Sequence, residues 1–441
     1  MNARWIKYLP RFISSRLEGR HGFQAVISNS AWLLADKVLR VGVGLVVGVW
    51  IVRYLGPEQF GLLSFSTSFT ALFSTFATLG LDGIVIRELV KNPEKHNALL
   101  GSAFILKLVG GLVAILLSLV AILIMHNGET LTVLLVAISA AGFVFQSVNV
   151  VDFYFQAKVK SRYTVISANV VFFLMSMVKI YLLLVSAPLI AFAWVGLGEI
   201  ALSAMSLLLA YRINHHKIRD WQYDRQLMGQ LLKDSWPLIL AGLAVMLYMR
   251  VDVVMLQQMV GEHEVGIYAA ATKLSEAWYF LPMIIVSSVS PAIIKAHSLD
   301  SAQYISKLRR LYFIMAWLAI GVSLPLSLLS STIVNALVGH EFAAAGPVLA
   351  IHMWASIAVF LGVASSQYLL VEQLQKISFY RTLIGLICNV FLNLMLIPNM
   401  GAKGAAIATV ISYFIATYSI IFFKSTRSHM IFLLLAPFSR K

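Results

Sequence analysis

Long apolar segments separated by short polar connections dominate the pattern along this chain. Twelve of them have about 20 residues or more, the length that a helix needs to cross roughly 30 Å of hydrocarbon. Because a backbone in lipid must satisfy its own hydrogen bonds, we predict that these segments are helices. We number the predicted spans 1 to 12, and they cover residues 29–52, 59–80, 98–125, 130–156, 163–186, 189–211, 235–258, 265–289, 309–335, 346–370, 378–397 and 402–423.

A short element with two glycines occurs twice in the chain, 205 positions apart. Gly56 and Gly61 form the first copy, and Gly261 and Gly266 form the second. Each copy lies between the first two spans of a six-span half, so we predict two homologous halves with parallel topology around a central cleft. We interpret the two copies as hairpin hinges and not as a binding site.

The connections between spans predict a division into five regions. Residues 1–28 carry apolar residues at helical spacing among basic ones, which indicates an amphipathic helix on anionic lipid. Residues 29–212 form an N-lobe with spans 1–6, and 213–234 form a polar linker. Residues 235–423 form a C-lobe with spans 7–12, and 424–441 form a tail.

Composition and charge agree with a protein that lies in a membrane. The chain is 60% hydrophobic and 12% charged, whereas a soluble protein has about 25% charged residues. The connections on one side, with both termini, hold 26 basic residues, and those on the other side hold Arg53 and Lys403. This asymmetry predicts cytoplasmic termini, and it explains the net charge of +15 without nucleic acid. Arg381 belongs to the cytoplasmic set in this interpretation.

Few residues suggest chemistry outside the spans. The single cysteine, Cys388, excludes an internal disulfide, and the ten histidines show no metal-ligand spacing. We therefore expect no metal and no organic cofactor. The predicted external connections have only a few residues each, so an enzyme such as a glycan polymerase or ligase is disfavoured.

Charged residues within the spans are the candidate chemistry, because each costs a few kcal/mol if it faces lipid. The basic ones are Lys37, Arg40, Lys107, Lys179, Arg250 and Lys273. The acidic ones are Asp36, Asp152, Glu199, Asp252 and Glu276.

Spacing predicts how some of these charges pair. Asp36 and Arg40 are four residues apart, and Lys273 and Glu276 are three apart, so each pair shares a helix face. Such pairs are also retained in proteins for structural reasons alone. Arg250 and Asp252 are two residues apart and point to different sides, so they need partners elsewhere.

Three lysines have no acid within a helical turn of their own span. We predict that Lys37, Lys107 and Lys179 are unpaired, and that they form a series of cations for an anionic passenger. Lys37 is near a span end, where it can instead extend to the interface. That alternative is weak for Lys107, which is about 14 Å deep at the helical rise.

A resemblance to a known family rests on three groups of residues. The first is Arg250-Val-Asp252 followed by Gly266-Ile-Tyr268, and the second is Arg53-Tyr-Leu-Gly56 with Phe60-Gly61. The third is Asn393-Leu with Ile397-Pro398 and residues 401–406. With these motifs the chain resembles bacterial oligosaccharide flippases of the O-antigen type, in the superfamily that includes multidrug exporters and the lipid II flippase.

This resemblance implies an all-α membrane protein of twelve helices in two six-helix lobes, V-shaped, with a central cleft. It implies translocation of undecaprenyl-diphosphate-linked oligosaccharide from the cytoplasmic to the periplasmic leaflet of the bacterial inner membrane. Twelve spans argue against the lipid II flippase, which usually has two further helices. An exporter of drugs or other cations remains the alternative, although unpaired bases suit an anionic substrate better.

We assign candidate roles on this basis. The substrate-binding candidates are Arg40, Lys107, Lys179, Arg250, Lys273 and Lys37. The ion-coupling candidates, for a proton or a sodium ion, are Asp252, Glu276, Asp36, Glu199 and Asp152. Expected partners are the lipid-linked oligosaccharide, membrane lipids, a polysaccharide polymerase and a chain-length regulator, with no nucleic acid.

Overall fold

The architecture was analysed in a computed structural model of the 441-residue chain. It describes residues 21–126, 128–160, 162–427, 429 and 432, with side chains from Leu39 onward. These residues form α-helices, short 3-10 turns and no strand. The helices are His21–Thr78, Asp82–Lys91, His96–Met125, Thr130–Gln146, Val150–Ala157, Arg162–Leu184, Leu189–Ile213, Arg225–Val260, Glu262–Glu276, Phe280–Leu299, Ser301–Leu328, Ser330–Leu337, Ala345–His352, Ala355–Val371 and Gln375–Tyr418.

The predicted number of spans is confirmed. Ten apolar helical stretches in the described part of the chain are long enough to cross a membrane. Two of these stretches contain two spans each, because Leu39–Lys91 is interrupted at Gly56 and Gln375–Phe422 at Gly401. The helix of span 7 begins at Arg225, ten residues before the predicted start, so it includes part of the predicted linker.

Glycine makes the turn between the first two spans of each half. Gly56 has φ 69° and ψ 174°, and Gly261 has φ 92° and ψ −180°. Residues with a side chain rarely adopt such a positive φ, whereas glycine adopts it readily. The turns predicted at both copies of the element are therefore confirmed, and their backbones have nearly the same conformation.

The second glycine of each copy brings the two halves together. A Cβ atom on Gly61 would lie 1.9 Å from the carbonyl oxygen of Glu262, and one on Gly266 would lie 1.9 Å from that of Pro57. Pro57 and Glu262 are themselves 205 positions apart, so the contact is reciprocal. We call this side of the molecule the repeat end, and the side with the linker the linker end.

Additional packing joins the halves along span 7. A Cβ atom on Gly80, after span 2, would lie 2.7 Å from Leu238 Cβ, and one on Gly242 would lie 2.9 Å from Thr75 Cγ2. At the repeat end, Gln258 Nε2 lies 2.5 Å from His126 Nε2. Span 7 therefore contacts the N-lobe near both of its ends.

Candidate functional site

Lys273 of span 8 lies at the boundary between the lobes. A Cβ atom on Gly48 of span 1 would lie 2.6 Å from its Cε and Nζ atoms, so the lysine occupies the space that the glycine leaves. Its ammonium group lies 5.4 Å from the centre of the Phe60 ring, a cation–π contact. The predicted ion pair with Glu276 is wrong, because Lys273 extends across the lobe boundary toward span 1.

Lys179 of span 5 pairs with a carboxylate on the next span. Its Nζ lies 2.6 Å from Glu199 Oε2, and both side chains are partly buried. The prediction that Lys179 is unpaired is therefore wrong, because its partner lies on a neighbouring helix and not on its own. Lys179 is also close enough to Lys273 for the two charges to repel each other.

Arg40 of span 1 continues this positive region toward the linker end. Its guanidinium carbon lies 5.2 Å from the centre of the Phe172 ring. Arg40, Gly44 and Gly48 are spaced by four residues, so they share one face of span 1. We define Arg40, Lys179 and Lys273, with Glu199, the acid paired with Lys179, as the inter-lobe cationic cluster.

The first turns of span 1 hold two further candidates, Lys37 and Asp36. Their side chains lie outside the part of the chain whose side chains the structure describes. The Asp36–Arg40 pair and the role of Lys37 therefore stay predictions.

Lys107 lies inside the N-lobe, with only 1% of its side chain exposed. Its Nζ is 3.4 Å from Asp82 Oδ1 and 4.7 Å from the centre of the Phe153 ring. Asp152 accepts a 2.9 Å hydrogen bond from Gln156 in the same region. The prediction that Lys107 is unpaired is wrong, because the short helix after span 2 supplies Asp82.

Asp252 of span 7 is buried at the meeting point of three spans. Its Oδ1 accepts a 2.9 Å hydrogen bond from the backbone N–H of Val253. Its Oδ2 accepts hydrogen bonds from the hydroxyl groups of Tyr268 and Thr409, the latter at 3.3 Å. These partners lie on spans 7, 8 and 12, so the carboxylate links three helices of the C-lobe.

Arg250 and Asp252 do not pair directly, as their spacing predicts. The seven ion pairs described within 4.0 Å include neither Arg250 nor Glu276. Arg250 nevertheless attracts both the Glu276 and the Asp252 carboxylate. The interior of the C-lobe thus holds one cation and two acids in the same region.

A chain of amides and hydroxyls extends the polar interior of the C-lobe. Asn393 Nδ2 donates to Asn389 Oδ1 at 3.0 Å, and Asn389 Nδ2 donates to Ser412 Oγ at 3.2 Å. Ser412 lies one turn after Thr409 on span 12. The Oδ1 atom of Asn393 is buried without a hydrogen-bond donor, so this region retains an acceptor for a proton donor or a cation.

Arg381 is a buried cation that the sequence analysis placed in a connection. It lies in the helix Gln375–Tyr418, and its Nη2 donates to Ser366 Oγ at 2.6 Å and to Gly362 O at 3.3 Å. The helix begins at Gln375, and Arg381 lies inside the C-lobe because its side chain contacts Gly362 and Ser366 of span 10. The signal that the hydropathy pattern offered was weak, because Lys376 and Arg381 border the apolar segment.

Comparison with known families decides the classification. The family described as "Polysaccharide biosynthesis protein" matches residues 26–297, which is more than half of the chain. The chain belongs to this family. A second family, described as MatE, matches residues 237–395.

Solved structures with the same fold are transporters and flippases. A multidrug resistance MATE family transporter of the MOP superfamily, in an inward-facing conformation, has a TM-score of 0.72 at 15% identity, covering 90% of this chain and 95% of that one. The lipid II flippase MurJ, in an inward closed conformation, has a TM-score of 0.72 at 16% identity, covering 92% of this chain and 90% of that one. An outward-facing MATE structure has a TM-score of 0.63 at 16% identity, covering 93% of this chain and 96% of that one. No curated protein sequence matches the chain.

These similarities confirm the predicted fold and superfamily. The protein is a multi-pass membrane protein with twelve helices in two lobes, in the V-shaped fold of the MOP superfamily. Its structural neighbours are transporters and flippases.

Proposed function

We propose that this protein is a flippase for undecaprenyl-diphosphate-linked oligosaccharide. The observation that carries the proposal is the inter-lobe cationic cluster, in which the three cations Arg40, Lys179 and Lys273 outnumber Glu199, the one acid among the side chains described there. An excess of positive charge in a water-poor cleft attracts an anion such as a diphosphate. Arg40 and Gly48, the glycine beside which Lys273 lies, are eight residues apart on span 1, about 12 Å at the helical rise.

Among these cations, Lys273 is the first to meet the cargo in this proposal. It makes no ion pair within 4.0 Å in the described residues and crosses the boundary between the lobes. A diphosphate would replace its weaker contact with the Phe60 ring by charge-assisted hydrogen bonds. Lys107 and Arg250 act indirectly, because the first is paired inside the N-lobe and the second lies beside the acids of the C-lobe.

Movement of the lobes completes the proposed cycle. The contact at the repeat end consists of backbone atoms at Gly61 and Gly266, so its formation does not depend on which cargo is bound. When the lobes rock, this contact separates and the cleft opens to the other side, while the lipid tail stays in the bilayer. The charge asymmetry of the connections supports a periplasmic repeat end and cytoplasmic termini in the inner membrane.

Coupling to a proton or sodium ion belongs to the C-lobe in this proposal. Asp252 is held by two hydroxyl groups, and Glu276 is a further acid that Arg250 attracts. A carboxylate surrounded by oxygen atoms suits either protonation or a hard cation. Glu199 instead serves its ion pair with Lys179, and Asp152 its hydrogen bond with Gln156.

Replacement of Lys273 tests the substrate assignment. We expect Lys273→Gln to reduce surface polysaccharide in cells that depend on this protein, with accumulation of the lipid-linked precursor, and Lys273→Arg to retain part of the activity. Lys403→Gln is the matched control, since Lys403 is an exposed lysine in the turn of the helix that follows Gly401. Full polysaccharide with Lys273→Gln at normal expression would remove this lysine from the mechanism.

An exporter of drugs or other cations is the second candidate function. The observation that favours it is the match of the MatE family to residues 237–395, which contain Asp252 and Glu276. This function predicts ion-driven efflux of cationic dyes from vesicles that contain the purified protein. Efflux that persists with Lys273→Gln and stops with Asp252→Asn would favour the exporter over the flippase.

The remaining assignments follow from the same proposal. We propose the lobe boundaries 29–212 and 235–423, with the amphipathic segment 1–28, the linker 213–234 and the tail 424–441. A polysaccharide polymerase and a chain-length regulator are the proposed protein partners, because they would receive the flipped oligosaccharide.

A further inference from the structure

Arg381 carries a positive charge that no acid in the described residues compensates within 4.0 Å. Its Nη2 atom has two neutral acceptors, Ser366 Oγ and Gly362 O. Its Nη1 atom is buried and has no hydrogen-bond partner. Since an arginine stays protonated in a protein, and a buried charge is costly without compensation, this side chain is suited to binding an anion.

A cavity of about 300 Å³ lies next to this guanidinium group inside the C-lobe. It is formed by spans 7, 8, 10, 11 and 12, and Arg381 is the only charged residue among the described residues that line it. Tyr248, Tyr279 and Tyr413 belong to the same lining, and the hydroxyl group of Tyr279 is buried without a hydrogen-bond partner in the described part of the chain. A cavity with one arginine, several hydroxyls and no carboxylate favours an anion with several oxygen acceptors, such as a phosphate.

A second cavity of about 350 Å³ connects this region to the surface of the lobe. The two cavities share Val363 and Ser366 in their linings. Most of the second one is apolar, with Met283, Val286 and Leu370 among its lining residues. A hydrocarbon chain attached to a phosphate at Arg381 would therefore have an apolar groove in which to lie.

We propose that the cavity around Arg381 is an anion site, separate from the inter-lobe cationic cluster, for a phosphate or diphosphate group. The group can come from a lipid headgroup, with its chain in the groove at Met283 and Leu370, or from a free inorganic ion. The guanidinium Nη1 atom donates to the phosphate oxygens, and the tyrosine hydroxyls complete the contacts.

Thermal unfolding of the purified full-length protein in detergent tests the site. The probes are farnesyl diphosphate, inorganic pyrophosphate and farnesol, which has the chain without the anion. We expect farnesyl diphosphate to raise the unfolding temperature in a saturable way and farnesol to have no such effect. Stabilisation by pyrophosphate at a similar concentration would assign the site to a free anion, and stabilisation by farnesyl diphosphate alone would assign it to a lipid.

Variants separate this site from the cleft. We expect Arg381→Gln to weaken the binding of farnesyl diphosphate by about 10-fold or more, as the loss of a charge-assisted hydrogen bond predicts. Arg381→Lys should weaken it less. Lys376→Gln is the control, because Lys376 lies on the same helix and is exposed. Val359→Trp fills the cavity while Arg381 stays, so it tests the site even if Arg381→Gln does not fold.

Two results with the variants and probes above would overturn the proposal, and a third follows from a change of background. One is equal binding of farnesyl diphosphate by wild type and Arg381→Gln, and the other is equal stabilisation by farnesol. Each titration is repeated in a Lys273→Gln background, where binding in the cleft is weakened. Loss of all binding in that background assigns the anion to the cleft and contradicts an Arg381 site, whereas an Arg381-dependent component that remains supports it.

Discussion

Gly266→Ala should open the contact between the lobes at the repeat end. The new Cβ atom would lie 1.9 Å from the carbonyl oxygen of Pro57, whereas an ordinary contact begins at 3.4 Å. The two backbones must therefore separate by about 1.5 Å, the difference between these distances. Overpacking of this kind costs about 1–3 kcal/mol, which changes an equilibrium constant by about 5- to 150-fold.

The whole cost applies to the closed arrangement, because the contact exists only while the lobes meet. We expect Gly266→Ala to shift the population toward the state that is open at the repeat end, and Gly61→Ala to do the same through Glu262. Transport should slow, because each cycle requires the repeat end to close and the variant closes it less often.

Double electron–electron resonance between two spin labels measures the distance across the repeat end and so tests this shift in population. The labels are placed on Glu58→Cys and His263→Cys, equivalent exposed positions at the repeat end, in a Cys388→Ser background. We expect a longer and broader distance distribution with Gly266→Ala. Gly321→Ala is the matched control, because a Cβ atom there meets nothing within 4 Å. An unchanged distribution with Gly266→Ala, in folded protein, would refute the closing role of this contact.

Three further predictions concern single charged or titratable groups. Glu199→Gln should lower the free energy of unfolding by about 1.5–3 kcal/mol, because it leaves Lys179 without its ionic partner. The double exchange Lys179→Glu with Glu199→Lys should restore the unfolding temperature. If it restored transport as well, the position of the lysine would be structural. Asp252→Asn should preserve folding, since an amide oxygen can still accept the hydroxyl donors, and should abolish the dependence of transport in vesicles on a proton or sodium gradient; unchanged dependence would exclude this carboxylate from coupling. His429 is stacked on Tyr368, and burial lowers its pKa to about 3. The same histidine has a pKa of about 6.5 when it is exposed, so below pH 6.5 the opened segment binds a proton that the folded segment does not. Stability is thus complete above pH 6.5 and lost as the pH falls. The protection factor for amide hydrogen exchange near His429 should therefore fall about 10-fold between pH 7.5 and 5.5 in wild type, but not with His429→Phe.

The number of spans and their turns followed from the sequence because lipid leaves the backbone few choices. A helix must be about 20 apolar residues long to cross the bilayer, and this requirement is local. The glycines at positions 56 and 261 were equally local signals, and both have the positive φ that only glycine adopts readily. The reciprocal contact of Gly61 and Gly266 was not predicted, because it depends on how two distant halves approach each other.

Ion pairing was predicted poorly because it depends on tertiary structure. Lys179 and Glu199 are 20 residues apart on adjacent helices, and Lys107 and Asp82 are 25 residues apart. Spacing along one helix cannot reveal such partners. Arg381 was missed for a different reason: hydropathy locates the apolar part of a helix and not its first turns, so a buried cation near a helix start resembles a residue of the connection.

The two halves have the same backbone fold but different charged residues. The closing contact and the recognition of the cargo therefore depend on different parts of the molecule. At the offset of 205, Lys273 corresponds to Ser68, and Arg381 corresponds to Ser176. The glycine contacts use only backbone carbonyls, so they are the same whichever side chains fill the cleft. Substitutions at the glycines should therefore affect every cargo alike, whereas substitutions of the cations should change which cargo is carried. A glycine variant that altered the preference between an anionic and a neutral lipid-linked glycan, without changing the distance between the lobes, would contradict this separation.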